Sequence, residues 1–167
     1  MTATLGIDPG ANTGLVVAQR VSGPVLHSYE VLSHETVKTS TDALLGERFV
    51  FYALAVRAVV DKYHPTRAIV EVPWRKARGS NRLSVYTRKV KGRSVNVPNL
   101  VMLAAITGAI LAVLHRCEGL EVIEHPAPTG KSMKGFVAQK RREAELLAGF
   151  KGNEHECVAC MLAVSGL

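Results

Sequence analysis

Cysteine, long apolar runs and a leader-like start are what this sequence has least of. The 167-residue chain carries 3 cysteines, Cys117, Cys157 and Cys160. That number is small and odd, which excludes a disulfide framework. The longest apolar stretch, 99–114, contains Thr107 and Gly108 and falls short of the ~20 residues needed to cross a bilayer. The opening MTATLGIDPG lacks the cationic head and apolar core of a signal peptide. Internal repeats and low-complexity tracts are missing too. A reducing, soluble setting is expected, with no membrane partner. Acids are locally absent as well: none occurs between Glu71 and Glu118.

What is present points to a polyanionic partner. The formal net charge is +7 and the pI near 9.6, an excess that suits nucleic acid first and an anionic surface second. Apolar residues make up 47% of the chain, enough to bury one core in a domain of this length. A single domain spanning 1–167 is expected.

Along the chain, 3–8 (ATLGID) reads as a buried strand stopping at Asp8-Pro9-Gly10. Residues 13–19 and 24–32 read as two more strands, joined by short links that favour antiparallel neighbours. From Ser40 to Tyr63 apolar residues recur at three and four, the mark of a helix, and His64-Pro65 ends it. Residues 67–72 (RAIVEV) form a fourth strand. The segment 75–93 reads mostly as a loop. Asn99 is a candidate cap for an apolar helix reaching about Arg116. Then come a strand at 121–124, a loop at 125–134, a charged helix near 135–147 and a last helix opened by Asn153. Later strands return through helices, which makes them parallel to their neighbours. The expected class is α/β: a mixed five-stranded sheet with helices on both faces.

Two acids sit where such a topology would bring them together. Asp8 ends the first strand and Glu71 nears the end of the fourth. Glu154 and Glu156 open the last helix, which could dock over the same end of the sheet. Each alone has an ordinary reading: Asp before Pro-Gly forms turns, and acids at a helix N-terminus complement its dipole. Glu71 is the harder to dismiss, because IVEV surrounds it with apolar residues and a buried acid without a partner is costly. Together they suit hard divalent cations, which take oxygen ligands. Two such ions ~3.5–4 Å apart can stabilise both oxygens of a phosphodiester displacement.

Three segments carry a family likeness. LGIDPGANTGLVV resembles the opening strand of RuvC-type Holliday junction resolvases. IVEVPW resembles their fourth strand, with an aromatic three residues after the glutamate. NEHECVACMLA resembles their closing helix, where an Asp or His, two intervening residues and then an Asp precede small residues. The resemblance implies an RNase H-like fold, a homodimer, Mg²⁺ or Mn²⁺ with two ions per site, and paired nicking of four-way DNA junctions. It implies a bacterial or phage-encoded protein acting in the cytoplasm at the nucleoid. Carried over by position, the catalytic set is Asp8, Glu71, Asn153 and Glu156. Asn153 departs from the pattern as a neutral ligand, so Glu154 is an alternative metal ligand beside Asp8, Glu71 and Glu156.

The acid-free segment supplies the expected DNA contacts. Arg75, Lys76, Arg78, Arg82, Arg88, Lys89, Lys91 and Arg93 interleave with Trp74 and Tyr86. Cations neutralise phosphates and aromatic faces stack on unpaired bases. Trp74 holds the place of the family's aromatic, implied to wedge at the junction centre. Lys131 and Lys140 fall in a stretch resembling the family's Pro-and-Lys loop and the helix after it. The ordinary reading of these residues is a solvated basic surface.

Other signals lead elsewhere. Thr129-Gly130-Lys131-Ser132 imitates the end of a Walker A motif, but His125 stands where its first glycine belongs. No nucleotide cofactor is expected. Cys157 and Cys160 form a lone pair in an apolar helix and read as buried small hydrophobes rather than zinc ligands. His34, His64 and His115 read as surface or loop residues. Two other functions compete with the nuclease: an ATP-binding domain of the actin and sugar-kinase type, whose phosphate loop DPGANTG could imitate, and a junction-binding relative without catalysis.

Overall fold

The computed structural model describes residues 2–22, 28–40, 42–76, 83–85, 97–126 and 133–166. In chain order the elements are β1 (Ala3–Asp8), β2 (Asn12–Arg20), β3 (Tyr29–Lys38), α1 (Leu45–Tyr63), β4 (Arg67–Val72), β5 (Trp74–Lys76), β6 (Leu83–Val85), α2 (Val97–Leu114), β7 (Glu121–Pro126), α3 (Met133–Ala148) and α4 (Glu154–Ser165).

The expected mixed sheet is there, in the order β3-β2-β1-β4-β7. β1 pairs antiparallel with β2, and β2 with β3. β1 with β4 and β4 with β7 are parallel. Alternation sends β1 side chains to two cores. Leu5 and Ile7 join Leu15, Val17 and Val70 under α1 and α2. On the other face Val16 and Ala18 meet α4 through Ala159, Cys160 and Ala163, while Ile69 packs with Phe136, Val158 and Leu162 from α3 and α4.

Several assignments differ from the sequence reading; β7, for one, runs on to Pro126 where a loop from His125 was expected. β3 lies at 29–38 rather than 24–32. The pairing of β2 with β3 skips a residue, with Val17 opposite Ser33 and Ala18 opposite Val31. This bulge at Leu32 breaks the alternation that sequence inspection relies on. The C-terminal half, SHETVK, is polar because β3 is an edge strand. α1 begins at Leu45 rather than Ser40. The Ser40 hydroxyl accepts from the Asp42 N–H at 3.2 Å, a local turn that competes with helix. The Glu47 carboxylate accepts from the Leu44 N–H at 3.1 Å and closes the helix start. Asn99 is no cap: it lies within the first turn of α2. Within the segment read as a loop, β5 and β6 pair as an antiparallel hairpin, Trp74 opposite Val85.

The other end of α1 follows expectation. His64 adopts a left-handed conformation (φ 46°) and its N–H reaches the Val60 carbonyl at 2.9 Å, just before Pro65. Among the described residues no helix is long and apolar enough to cross a membrane.

Candidate active site

Parallel pairing decides where the first two acids stand. Ile7 lies opposite Val70, so the next residues, Asp8 and Glu71, leave neighbouring strands side by side, on the face away from α1 and α2. His125 of β7 is in register with Glu71 and shares that face. The turn after Asp8 is held from two sides. The Thr13 hydroxyl accepts from the Gly10 N–H at 3.2 Å and donates to the Gly10 carbonyl at 2.9 Å. From α1, the fully buried Tyr52 donates its hydroxyl to the Ala11 carbonyl at 2.7 Å. Thr13 belongs to the first motif read from the sequence, while Tyr52 did not stand out there.

Helix α4 closes over this end because two glycines let it approach the strands. A methyl group on Gly6 would run into the Ala159 carbonyl and the Ala163 nitrogen. One on Gly14 would run into the His155 carbonyl. Backbone packs on backbone here, and the first turn of α4 is set beside Asp8.

Asn153 caps α4. Its side-chain oxygen accepts from the His155 and Glu156 N–H groups at 3.0 and 3.1 Å, while the Glu156 carboxylate accepts from the Asn153 N–H at 3.0 Å. Thr36 of β3 locks the pair in place. Its hydroxyl accepts from the Asn153 amide at 2.7 Å and donates to Glu156 at 3.1 Å. Asn153 and Glu156 are thus spent on the cap and on β3. His34, which also packs edge-on against Phe150, lies 3.7 Å from Glu156 on that side.

Rotation about the helix axis sends Glu154, His155 and Val158 the other way, with Val158 four and three residues on from the other two and so beside both. These three, with Asp8 and Glu71, line an open cleft of about 750 Å³ whose remaining wall comes from the Pro9–Ala11 turn, α2 and α3. Asn99 and Arg141 are the polar contributions of those two helices. The structure therefore brings together Asp8, Glu71 and Glu154, adds His155 and Arg141, and leaves Asn153 and Glu156 outside the cleft lining.

His155 Nδ1 is 2.8 Å from Asp8 Oδ2, and Nε2 is 3.6 Å from Glu154. The contact with Asp8 raises the imidazole above its ordinary value of 6.5. Burial pushes the Asp8 carboxyl above the usual aspartate range, and the His155 hydrogen bond only partly offsets it. Asp8 has 15% of its side chain exposed and His155 29%. By donor chemistry, Asp8, Glu71 and Glu154 suit a hard divalent cation, with His155 a nitrogen neighbour. As placed, no group of three His, Cys, Asp or Glu side chains among the described residues closes round one point.

The other expected contacts divide. Trp74, half-buried against the core, donates its indole N–H to Glu124 at 2.8 Å. Arg75 and Lys76 belong to β5. Lys140 lies on α3, 2.9 Å from Glu143 and over the Phe136 ring. Arg78, Arg82, Tyr86, Arg88, Lys89, Lys91, Arg93 and Lys131 lie outside the described residues. Cys157 and Cys160 are free and buried, and burial pushes the Cys160 thiol up to about 12, as fits small apolar packing.

Sheet order and helices on both faces define an RNase H-like α/β fold, with acids at the ends of β1 and β4. No protein-family model and no curated protein sequence matches the chain. Solved structures do. RuvC of Thermus thermophilus in complex with a Holliday junction substrate superposes with a TM-score of 0.67 at 19% identity, over 99% of this chain and 92% of that one. The yeast mitochondrial Holliday junction resolvase gives 0.59 at 10% identity, over 99% and 77%. The fowlpox virus resolvase gives 0.54 at 13%, over 99% and 97%. The likeness establishes the fold: the chain has the arrangement found in RuvC.

Proposed function

We propose that the protein is a structure-selective endonuclease that resolves four-way DNA junctions by divalent-metal-dependent phosphodiester hydrolysis. The observation that carries this reading is the convergence of Asp8, Glu71 and Glu154 on one cleft at the ends of two parallel strands, on a fold shared with junction resolvases. Mg²⁺ or Mn²⁺, two per site, would supply charge neutralisation at the phosphate and activation of water when bound. Asp8, Glu71 and Glu154 would hold the ions. His155 orients the Asp8 carboxylate through the Nδ1 contact at 2.8 Å. The Thr13 and Tyr52 hydrogen bonds keep the Asp8 turn in place. Branched DNA is the partner, gripped by the basic segment that starts at Trp74.

Two sites are needed to cut two strands, and a homodimer supplies them. Val50, Phe51 and Leu54 are exposed on the face of α1 turned away from the core, which supports a second copy packing there. The reading carries a cytoplasmic, nucleoid-associated location in a bacterial or phage-infected cell.

A synthetic four-way junction, its matching duplex and a flap, each incubated with protein and Mg²⁺ or Mn²⁺, test the activity. Paired nicks in the junction, no cuts in the duplex and loss of both nicks in Asp8→Asn are expected. Equal cutting of duplex, or an active Asp8→Asn, defeats the reading. Junction binding without catalysis is the second reading, favoured by the lack of a closed donor cluster among the described residues. Tight binding with no Mn²⁺-dependent cleavage selects it.

A further inference from the structure

Helix α3 carries three cations in a row, Lys140, Arg141 and Arg142, and the fold uses them differently. Lys140 is committed to Glu143 at 2.9 Å and to the Phe136 ring. Arg141 shares a helix face with Val137 and Ala138, four and three residues earlier, and all three line the cleft that holds Asp8, Glu71 and Glu154. Arg142 is not part of that wall. Among the described residues lining the cleft, Arg141 is the one Lys or Arg. It makes no ion pair with any described side chain.

Charge gives this placement its meaning. Beyond the cations the carboxylates would hold, a phosphodiester entering the cleft is attracted and oriented by a fixed cation that faces it. A guanidinium presents planar paired donors that match two phosphate oxygens, which an ammonium cannot copy. An exposed side chain with no ion pair among the described residues has no such contact there to give up on binding. We propose that Arg141 is the phosphate-holding residue of this site, gripping the backbone of the strand lying in the cleft. The proposal rests on the nuclease reading and adds to it a binding residue on an element outside the carboxylate set.

The test compares Arg141→Gln, Arg141→Lys and Arg142→Gln in the full chain. Junction binding is titrated by fluorescence anisotropy in Ca²⁺ across a salt series, and cleavage is timed in Mg²⁺ and Mn²⁺. Arg141→Gln should lower the salt slope by about one phosphate contact and slow cleavage at least tenfold, with an unchanged thermal midpoint. Arg141→Lys should restore the slope and only part of the rate. Arg142→Gln should cut at the wild-type rate. Wild-type slope and rate in Arg141→Gln overturn the proposal. If the wild type binds junctions and cuts none, the nuclease reading fails alone, and the salt slope still decides whether Arg141 holds a phosphate. If the wild type binds no junction, both fall.

Discussion

At the scale of single residues, the contact of His155 with Asp8 at 2.8 Å matters most. Both groups have folded pKa values above their ordinary ones. A group shifted up contributes stability that is complete below its unfolded pKa and fades as pH rises through the folded value. For His155 the loss begins above 6.5. In metal-free protein the thermal midpoint of the wild type should therefore exceed that of His155→Asn at pH 5.5–6.5, and the gap should close as pH climbs. A gap that stays flat or widens toward alkaline pH would show that the pair does not hold α4 in place. Sequence reasoning missed His155 because it followed the two-residue gap between Asn153 and Glu156. The available signal was helical: 154, 155 and 158 share one arc, and Val158 is apolar like a residue facing the sheet.

At the scale of elements, α4 is placed by what the sheet lacks. Gly6 and Gly14 leave room for its backbone, and Ala159 and Ala163 keep its underside thin. Gly14→Ala forces the first turn of α4 off β2 and should cost roughly 1–3 kcal/mol, as overpacking does, lowering the thermal midpoint and moving His155 from Asp8. Gly108 in α2 makes the contrast. A methyl group there meets nothing within 4 Å, so Gly108→Ala should be neutral or add up to about 1 kcal/mol of helix propensity. Paired thermal melts check both, and equal shifts in the two variants would contradict the close seating of α4. The hairpin β5–β6 escaped sequence reading because its glycine- and arginine-rich surroundings carry no clear period. Its first residue is instead held by a tertiary bond, from Trp74 to Glu124.

At the scale of the whole molecule, α1 has two apolar sides. Tyr52, Val56, Val59 and Val60 face the sheet, while Phe51 and Leu54 are 48% and 63% exposed. A basic protein that stayed monomeric would leave that second side in water. Phe51→Glu with Leu54→Glu should convert a dimer of about twice 18.0 kDa to monomer in sedimentation, at a similar melting temperature. Junction nicks should then become unpaired. Wild-type protein sedimenting as a monomer at micromolar concentration would remove the basis for paired cutting.

Order and type of the five main-sheet strands and four helices, the acids at the ends of β1 and β4, and the Asn153 cap were legible in the sequence. They depend on local period, turn chemistry and hydrogen bonding within a few residues. Which acids of α4 meet Asp8 was not legible, nor were His155 and Arg141 as neighbours of the cleft. A helix's rotation about its own axis is set by what it packs against, here Gly6 and Gly14 below and Thr36 beside. Those contacts join residues more than a hundred positions apart in the chain.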